Sequence, residues 1–180
     1  FDHVEIISRI SKKILHIKKI KSLDKSLKKQ ITSDLKKIRR KQKNFANLNF
    51  LKIPNIMGVL NLTPDSFSDG GKFNKKNKGL KHAFEMLHSG ANIIDVGGES
   101  TRPGSKAIND KLEWKRIEKF IKSTKNNIPI SLDTRKSEIM KKGIKFGVKI
   151  INDVSGLNYD SETISVLKKY KVPFVIQHSQ

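Results

Sequence analysis

From Asn55 onward the sequence repeats one pattern: a short apolar run, a polar residue, a loop, then an amphipathic stretch of helical spacing. Short runs of this kind read as parallel strands buried on both faces, which lose the inside–outside alternation of half-exposed strands. The predicted strands are Ile56–Leu60, Asn92–Val96, Ile128–Asp133, Lys149–Asn152 and Pro173–Gln177. Between them, Leu80, Ala83, Phe84 and Leu87 share one helical face, with Gly90 as a stop signal. Trp114, Ile117, Phe120 and Ile121 form the next stripe. Ser137 is placed to cap a helix carrying Ile139, Met140 and Ile144, and Ser161 one carrying Ile164, Leu167 and Tyr170. These stripes are core packing rather than a cofactor box.

Strand–helix repetition implies right-handed βαβ units and a parallel sheet. Five strands in about 125 residues fit an open doubly wound sheet or five-eighths of a barrel, and periodicity does not choose between them. Three of the predicted strands, however, end in a polar residue, and Asn61 directly follows a fourth, as the mouth of a barrel requires. In such barrels chemistry sits just beyond the carboxyl ends of the strands.

Two of those strand ends carry long, distinctive phrases. Asn55-Ile-Met-Gly-Val-Leu-Asn-Leu-Thr-Pro-Asp-Ser-Phe-Ser-Asp-Gly-Gly71 stops its apolar run at Asn61 and continues into a loop of small, hydroxyl and acidic residues. Such a loop can act as a lid. Asn92-Ile-Ile-Asp-Val-Gly-Gly-Glu-Ser-Thr-Arg-Pro-Gly-Ser105 ends in a glycine-rich loop carrying Arg102. Glycines let the backbone approach a ligand, and an arginine fork suits phosphate oxygens.

With Ile130-Ser-Leu-Asp-Thr134 and Ile150-Ile-Asn-Asp-Val-Ser-Gly156, these phrases closely resemble dihydropteroate synthases, over roughly Ile53 to Gln180. The resemblance implies an α/β fold, the first five β/α units of a TIM (β/α)8 barrel, incomplete; a basic N-terminal extension, residues 1–53, precedes it and lies outside the resemblance. The same resemblance implies condensation of a dihydropterin-methyl diphosphate with 4-aminobenzoate, releasing pyrophosphate and giving dihydropteroate. Asn61 matches the family residue that contacts the Mg²⁺ accompanying the diphosphate. Thr101, Arg102 and Pro103 match the loop that meets the diphosphate and borders the aminobenzoate pocket. Asp133 matches the carboxylate that faces the pterin and steadies a cation; with Arg102 it forms the expected catalytic pair. Asn152 matches the amide that reads the pterin's edge. Ser66 and Phe67 fall in the mobile first loop, with Phe67 covering the aminobenzoate. Gln177 stands where family members commonly carry Met against the flat pterin face, a departure from the pattern. Asp153 reads as a turn group and His178 as a structural histidine.

The resemblance also implies an Asp, a Lys and an Arg-x-His pair from later strands, none of which this chain contains. The chain starts at Phe1 and stops just after a predicted strand, so it reads as a fragment cut at both ends, and a complete barrel usually needs about 250 residues. As an isolated fragment it is expected to be essentially inactive. The full-length protein is expected to be a homodimer acting on small molecules, with no nucleic-acid or membrane partner. The runner-up activity is that of a pterin-binding methyltransferase passing methyl groups from methyltetrahydrofolate to a corrinoid protein. Both would share the strand-end Asp and Asn, but the two long loop phrases serve diphosphate and aminobenzoate.

The net charge of +21 tests that reading, because it invites a nucleic-acid or anionic-membrane partner. Residues 1–54 hold 16 Lys or Arg against 4 Asp or Glu, and the remainder 22 against 13. The excess is enriched at the start without being confined there. No aromatic stacking platform or recognition-helix motif interrupts the lysines, so a solvated basic surface is preferred. Within the extension, Asp24 to Lys43 reads as a basic amphipathic helix with Leu27, Ile31, Leu35 and Ile38 on one stripe. Phe1 to Ile20 supports a strand or a helix, and a hairpin followed by a helix is the reading adopted. The chain has no cysteine, which excludes disulfides and thiolate metal sites. With no long apolar span and no signal-peptide core, a soluble cytoplasmic protein is expected.

Overall fold

A computed structural model of the chain describes residues 1–40, 44–46, 48–49, 54–63, 78–100, 104–125 and 127–177. It divides into two compact units, Phe1–Gln42 and Lys43–Gln180.

The first unit is a hairpin followed by a helix. Strands β1 (His3–Ile7) and β2 (Lys12–His16) pair antiparallel, with Val4 opposite Leu15 and Ile6 opposite Lys13. A 3₁₀ turn over Ile17–Ser22 leads to α1 (Lys25–Arg39), whose first turn is capped by Asp24: its carboxylate accepts from the Leu27 amide at 2.9 Å. The expected stripe is real but shallow. Leu27, Ile31 and Leu35 are half-buried, Ile38 is exposed, and α1 has no fully buried residue.

The second unit carries β3 (Met57–Asn61), α2 (Lys78–His88), β4 (Ile93–Gly97), α3 (Asp110–Thr124), β5 (Ile130–Asp133), α4 (Ser137–Lys145), β6 (Ile150–Asp153), α5 (Thr163–Tyr170) and β7 (Phe174–Ile176). The strands lie within two residues of their predicted limits. Two capping expectations are corrected. Neither Ser137 nor Ser161 caps a helix; Asp160 serves both sites instead, accepting from the Ser137 amide at 2.8 Å and the Glu162 amide at 2.9 Å. Ile164 lies outside its helix's buried face, which is Thr163, Val166 and Leu167.

Strand order settles the architecture that periodicity left open. The five strands pair in parallel in their chain order, β3-β4-β5-β6-β7, with no reversal. A doubly wound sheet needs a switch point and helices on both faces; the described residues show neither. Alternate strand residues Leu60, Ile94, Val96, Ile130, Leu132 and Ile151 all enter one apolar core. All four helices join that core, with Ala83 from α2, Trp114, Ile117, Phe120 and Ile121 from α3, Ile139 and Met140 from α4, and Val166 and Leu167 from α5. Right-handed crossovers taken in sequence put every helix on one face, the arrangement of a β/α barrel wall. Each Ile, Leu, Val, Phe or Met among these side chains, when fully buried, contributes about 1.5–3 kcal/mol. The layers touch closely: a Cβ at Gly143 of α4 would collide with Leu132 of β5, and one at Gly98 would sit 2.9 Å from the Glu113 carbonyl of α3. The strands' other face is the inner one. It is covered at β4 and β5 but open at β3, where Val59 is 59% exposed.

Candidate functional site

Side chains at paired positions of parallel strands point to the same side. The register aligns Asn61, Gly97, Asp133, Asn152 and Val175 in one row at the carboxyl ends, all on the inner face. One level deeper lies the row Val59, Asp95, Ser131 and Ile150. Three of the polar residues picked from the sequence (Asn61, Asp133 and Asn152) therefore share one rim. Glycine is what lets the first two approach. A Cβ built at Gly97 would lie 3.1 Å from Asn61 Oδ1 and 3.3 Å from Asp133 Oδ2. Two oxygen acceptors thus border the space left free over Gly97.

Asp133 is half-buried, and its Oδ1 is enclosed without a hydrogen-bond partner in the protein. Burial first, then the neighbouring carboxylates of Asp95, Glu113 and Asp153, push its pKa up to about 7. Asn152 donates from Nδ2 to Asp95 Oδ2 at 3.0 Å, and its backbone carbonyl accepts from the Thr134 amide at 3.1 Å. The sequence does not single out Asp95, because it sits within the apolar run that marks β4. Its signal is that same oddity: a carboxylate amid Ile93, Ile94 and Val96, only 6% exposed. Burial raises its pKa, while the Ser131 hydroxyl and the Asn152 amide act in the opposite sense.

A second polar cluster fixes the loops around the rim. Lys136 Nζ bonds Glu113 Oε2 at 2.7 Å, Glu99 Oε2 at 3.3 Å and the Ile108 carbonyl. Glu99 Oε1 accepts from the Ile108 amide at 3.0 Å, and Arg135 forks onto Glu99 at 3.2 and 3.3 Å. Thr134, next to Asp133, donates to Glu113 Oε1 at 2.6 Å. Burial opposes the Glu99 charge, but Arg135, the Ile108 amide and Lys136 together hold its pKa below the usual carboxylate value. The guanidinium of Arg135 also lies 3.9 Å over the Tyr159 ring. The segment after β5 is thereby tied to the loop after β4 and the start of α3.

Gln177 is exposed one residue past β7, its amide 3.4 Å from the Asp153 carbonyl. Asp153 holds a turn, its Oδ1 accepting from the Ser155 amide at 2.8 Å and hydroxyl at 2.6 Å. Ser66, Phe67, Thr101, Arg102, Pro103 and His178 lie outside the described residues. No group of three or more His, Cys, Asp or Glu among the described residues could by itself hold a metal ion, and no helix among them is long and apolar enough to cross a membrane.

The profile of the family described as pterin binding enzyme matches residues 57–180. The chain belongs to the pterin-binding enzyme family. Its similarity includes the dihydropteroate synthases of Clostridium beijerinckii and Bacillus subtilis, each 46% identical over 127 residues, or 69% of this chain. The chain spans about half the length of these curated relatives, 47% and 45% respectively. Among solved structures, the Clostridium difficile dihydropteroate synthase in the presence of pteroic acid aligns with a TM-score of 0.68 at 43% identity, covering 77% of this chain and 52% of the other. The Xanthomonas albilineans enzyme with 4-aminobenzoic acid aligns with a TM-score of 0.65 at 36% identity, covering 71% and 47%. The matched region of this pterin-binding chain starts at β3 and contains the whole polar rim.

Proposed function

We propose that this chain carries the amino-terminal half of a dihydropteroate synthase site, which condenses a dihydropterin-methyl diphosphate with 4-aminobenzoate. The observation that carries the reading is the row of Asn61, Asp133 and Asn152 on one inner rim, around the space over Gly97. In the reaction the methylene–oxygen bond breaks and its electron pair leaves with pyrophosphate. The amine nitrogen of 4-aminobenzoate then bonds the methylene carbon and gives up a proton. Asn152 offers both a donor and an acceptor to the pterin edge. Asp133 accepts ring N–H groups and, when ionised, stabilises positive charge developing on the methylene. Thr101, Arg102 and Pro103 are assigned to the diphosphate and aminobenzoate, Ser66 and Phe67 to the covering loop, and Gln177 to the pterin face. The relatives reported above are synthases, which favours condensation over methyl transfer to a corrinoid.

Oxygen donors bordering the space over Gly97 fit a magnesium ion, which takes few protein ligands and completes its shell with water and phosphate. Asn61 is the residue assigned to hold it. Mg²⁺, when bound, would offset the charge of the departing diphosphate.

Calorimetric titration of the chain with 6-hydroxymethylpterin tests the assignment. Asn152→Ala and Asp133→Ala should each weaken binding by about tenfold or more, the worth of a lost hydrogen bond to a buried polar group. Affinity unchanged in both variants would refute it. Turnover by the 180-residue chain alone is expected to stay at background, since its inner face is open at β3.

A further inference from the structure

Asn152 reads a ligand through an amide, and an amide is useful only if its oxygen and nitrogen face the right way. Rotation by half a turn exchanges donor for acceptor at almost no steric cost. On an open rim both orientations would be populated, and half the molecules would present the wrong polarity. Something beneath the rim must break the tie.

Asp95 is placed to do this. It lies one level deeper on the inner face, two residues before Gly97 on β4, and reaches across β5 to Asn152. Its Oδ2 stands 3.0 Å from Asn152 Nδ2. In this pair the carboxylate oxygen accepts and the Asn152 NH2 donates, so the NH2 end of the amide faces Asp95 and the carbonyl end faces away. That leaves Asn152 Oδ1 and the second N–H for a ligand. We propose that Asp95 is a positioning residue that locks the Asn152 amide in one orientation and so sets the donor–acceptor pattern of the rim.

Two further features agree. Asp95 is more than nine-tenths buried and its Oδ1 has no protein partner, an arrangement costly to keep for packing alone. A leucine would fill that position in a strand whose neighbours are Ile94 and Val96. Nor is Asp95 a rim residue: Gly97, not Asp95, pairs with Asn61 and Asp133. It therefore acts through Asn152. This role rests on the pterin-site reading above, and the measurements separate the two.

The test uses the intact chain and its Asp95→Asn variant. The first readout is the side-chain amide of Asn152 in a ¹H–¹⁵N spectrum, assigned by its loss in Asn152→Asp. In the wild type one of its two protons should be shifted downfield and insensitive to temperature, as for a proton held on a carboxylate. The second readout is calorimetric affinity for two probes, 6-hydroxymethylpterin and inorganic pyrophosphate. Asp95→Asn should weaken the pterin by about tenfold, one mismatched hydrogen bond, and leave pyrophosphate within about twofold. Equal weakening of both probes would mark Asp95 as merely structural and overturn the proposal. So would pterin affinity unchanged in Asp95→Asn but lost in Asn152→Ala. If the wild type binds no pterin, the site reading fails for this chain, and the amide spectrum still decides the lock. Should the variant not fold, a wild-type Asn152 amide with two ordinary protons overturns the proposal unaided.

Discussion

Replacing Asp133 by Asn should stabilise the protein at neutral pH and do little at acid pH. The carboxyl of Asp133 is raised from 3.8 to about 7, first by burial and then by Asp95, Glu113 and Asp153. The folded state therefore keeps a proton that the unfolded chain releases between about pH 4 and 7. Stability falls with rising pH wherever the folded state binds more protons. The loss begins near the unfolded pKa, grows through this window and is complete above the folded value. A shift of about three units at 1.36 kcal/mol per unit gives roughly 4 kcal/mol as an upper figure, and water reaching a half-buried group lowers it to about 2–3 kcal/mol. Asn keeps the shape and carries no charge, so its stability curve should lack this descent. Urea denaturation at half-unit steps from pH 4 to 8, for both proteins, measures the difference directly. Curves that stay parallel across the window would show that Asp133 ionises freely and that burial does not govern its chemistry. A gap that opens upward in pH, with Asp133→Asn the more stable and pterin binding lost, would show a carboxylate retained for its ligand.

Lys136→Met should cost about 3–5 kcal/mol, because it strips Glu113 and Glu99, whose side chains are 0% and 4% exposed, of their shared cation. Adding Glu113→Gln should recover part of the loss; thermal melting that shows no recovery would place the damage in packing instead. Gly97→Ala tests the space between the acceptors. Its Cβ would come 3.1 Å from Asn61 Oδ1 and 3.3 Å from Asp133 Oδ2, so binding of magnesium pyrophosphate should fall about tenfold or more. Stability should fall by about 1–3 kcal/mol, as for an added methyl in a packed site, and unaltered binding would remove Gly97 from the site.

What could be read from the sequence depended on how far apart the interacting groups lie. The strands were legible because each is a local apolar run, and their polar ends placed Asn61, Asp133 and Asn152 at the rim without any knowledge of register. Barrel against open sheet was not a local question. It turns on strand order and on which face the helices take, and only the pairing pattern answers it. Caps failed for the same reason. Ser137 and Ser161 satisfy the local rule, yet Asp160 reaches the Ser137 amide from 23 residues away. Asp95 escaped notice because a strand's apolar average conceals one carboxylate, and its meaning appears only opposite Asn152. Likewise Glu113 sits beside Trp114 on α3 as though it were an ordinary charged neighbour of the stripe. Its partners Thr134 and Lys136 come from the next β/α unit.

In-order pairing also bears on how the sheet is assembled. Each strand's neighbour is the next one made, separated from it by a single helix, so chain closure between partners stays short and its entropic toll low. Growth can follow synthesis: β4 docks on β3, its helix seals the outer face, and the fresh edge awaits β5. A wall built this way leaves no gap between its strands for a distant segment: the growing margin is where the ribosome delivers the next strand, while β3 stays as the sheet's other margin.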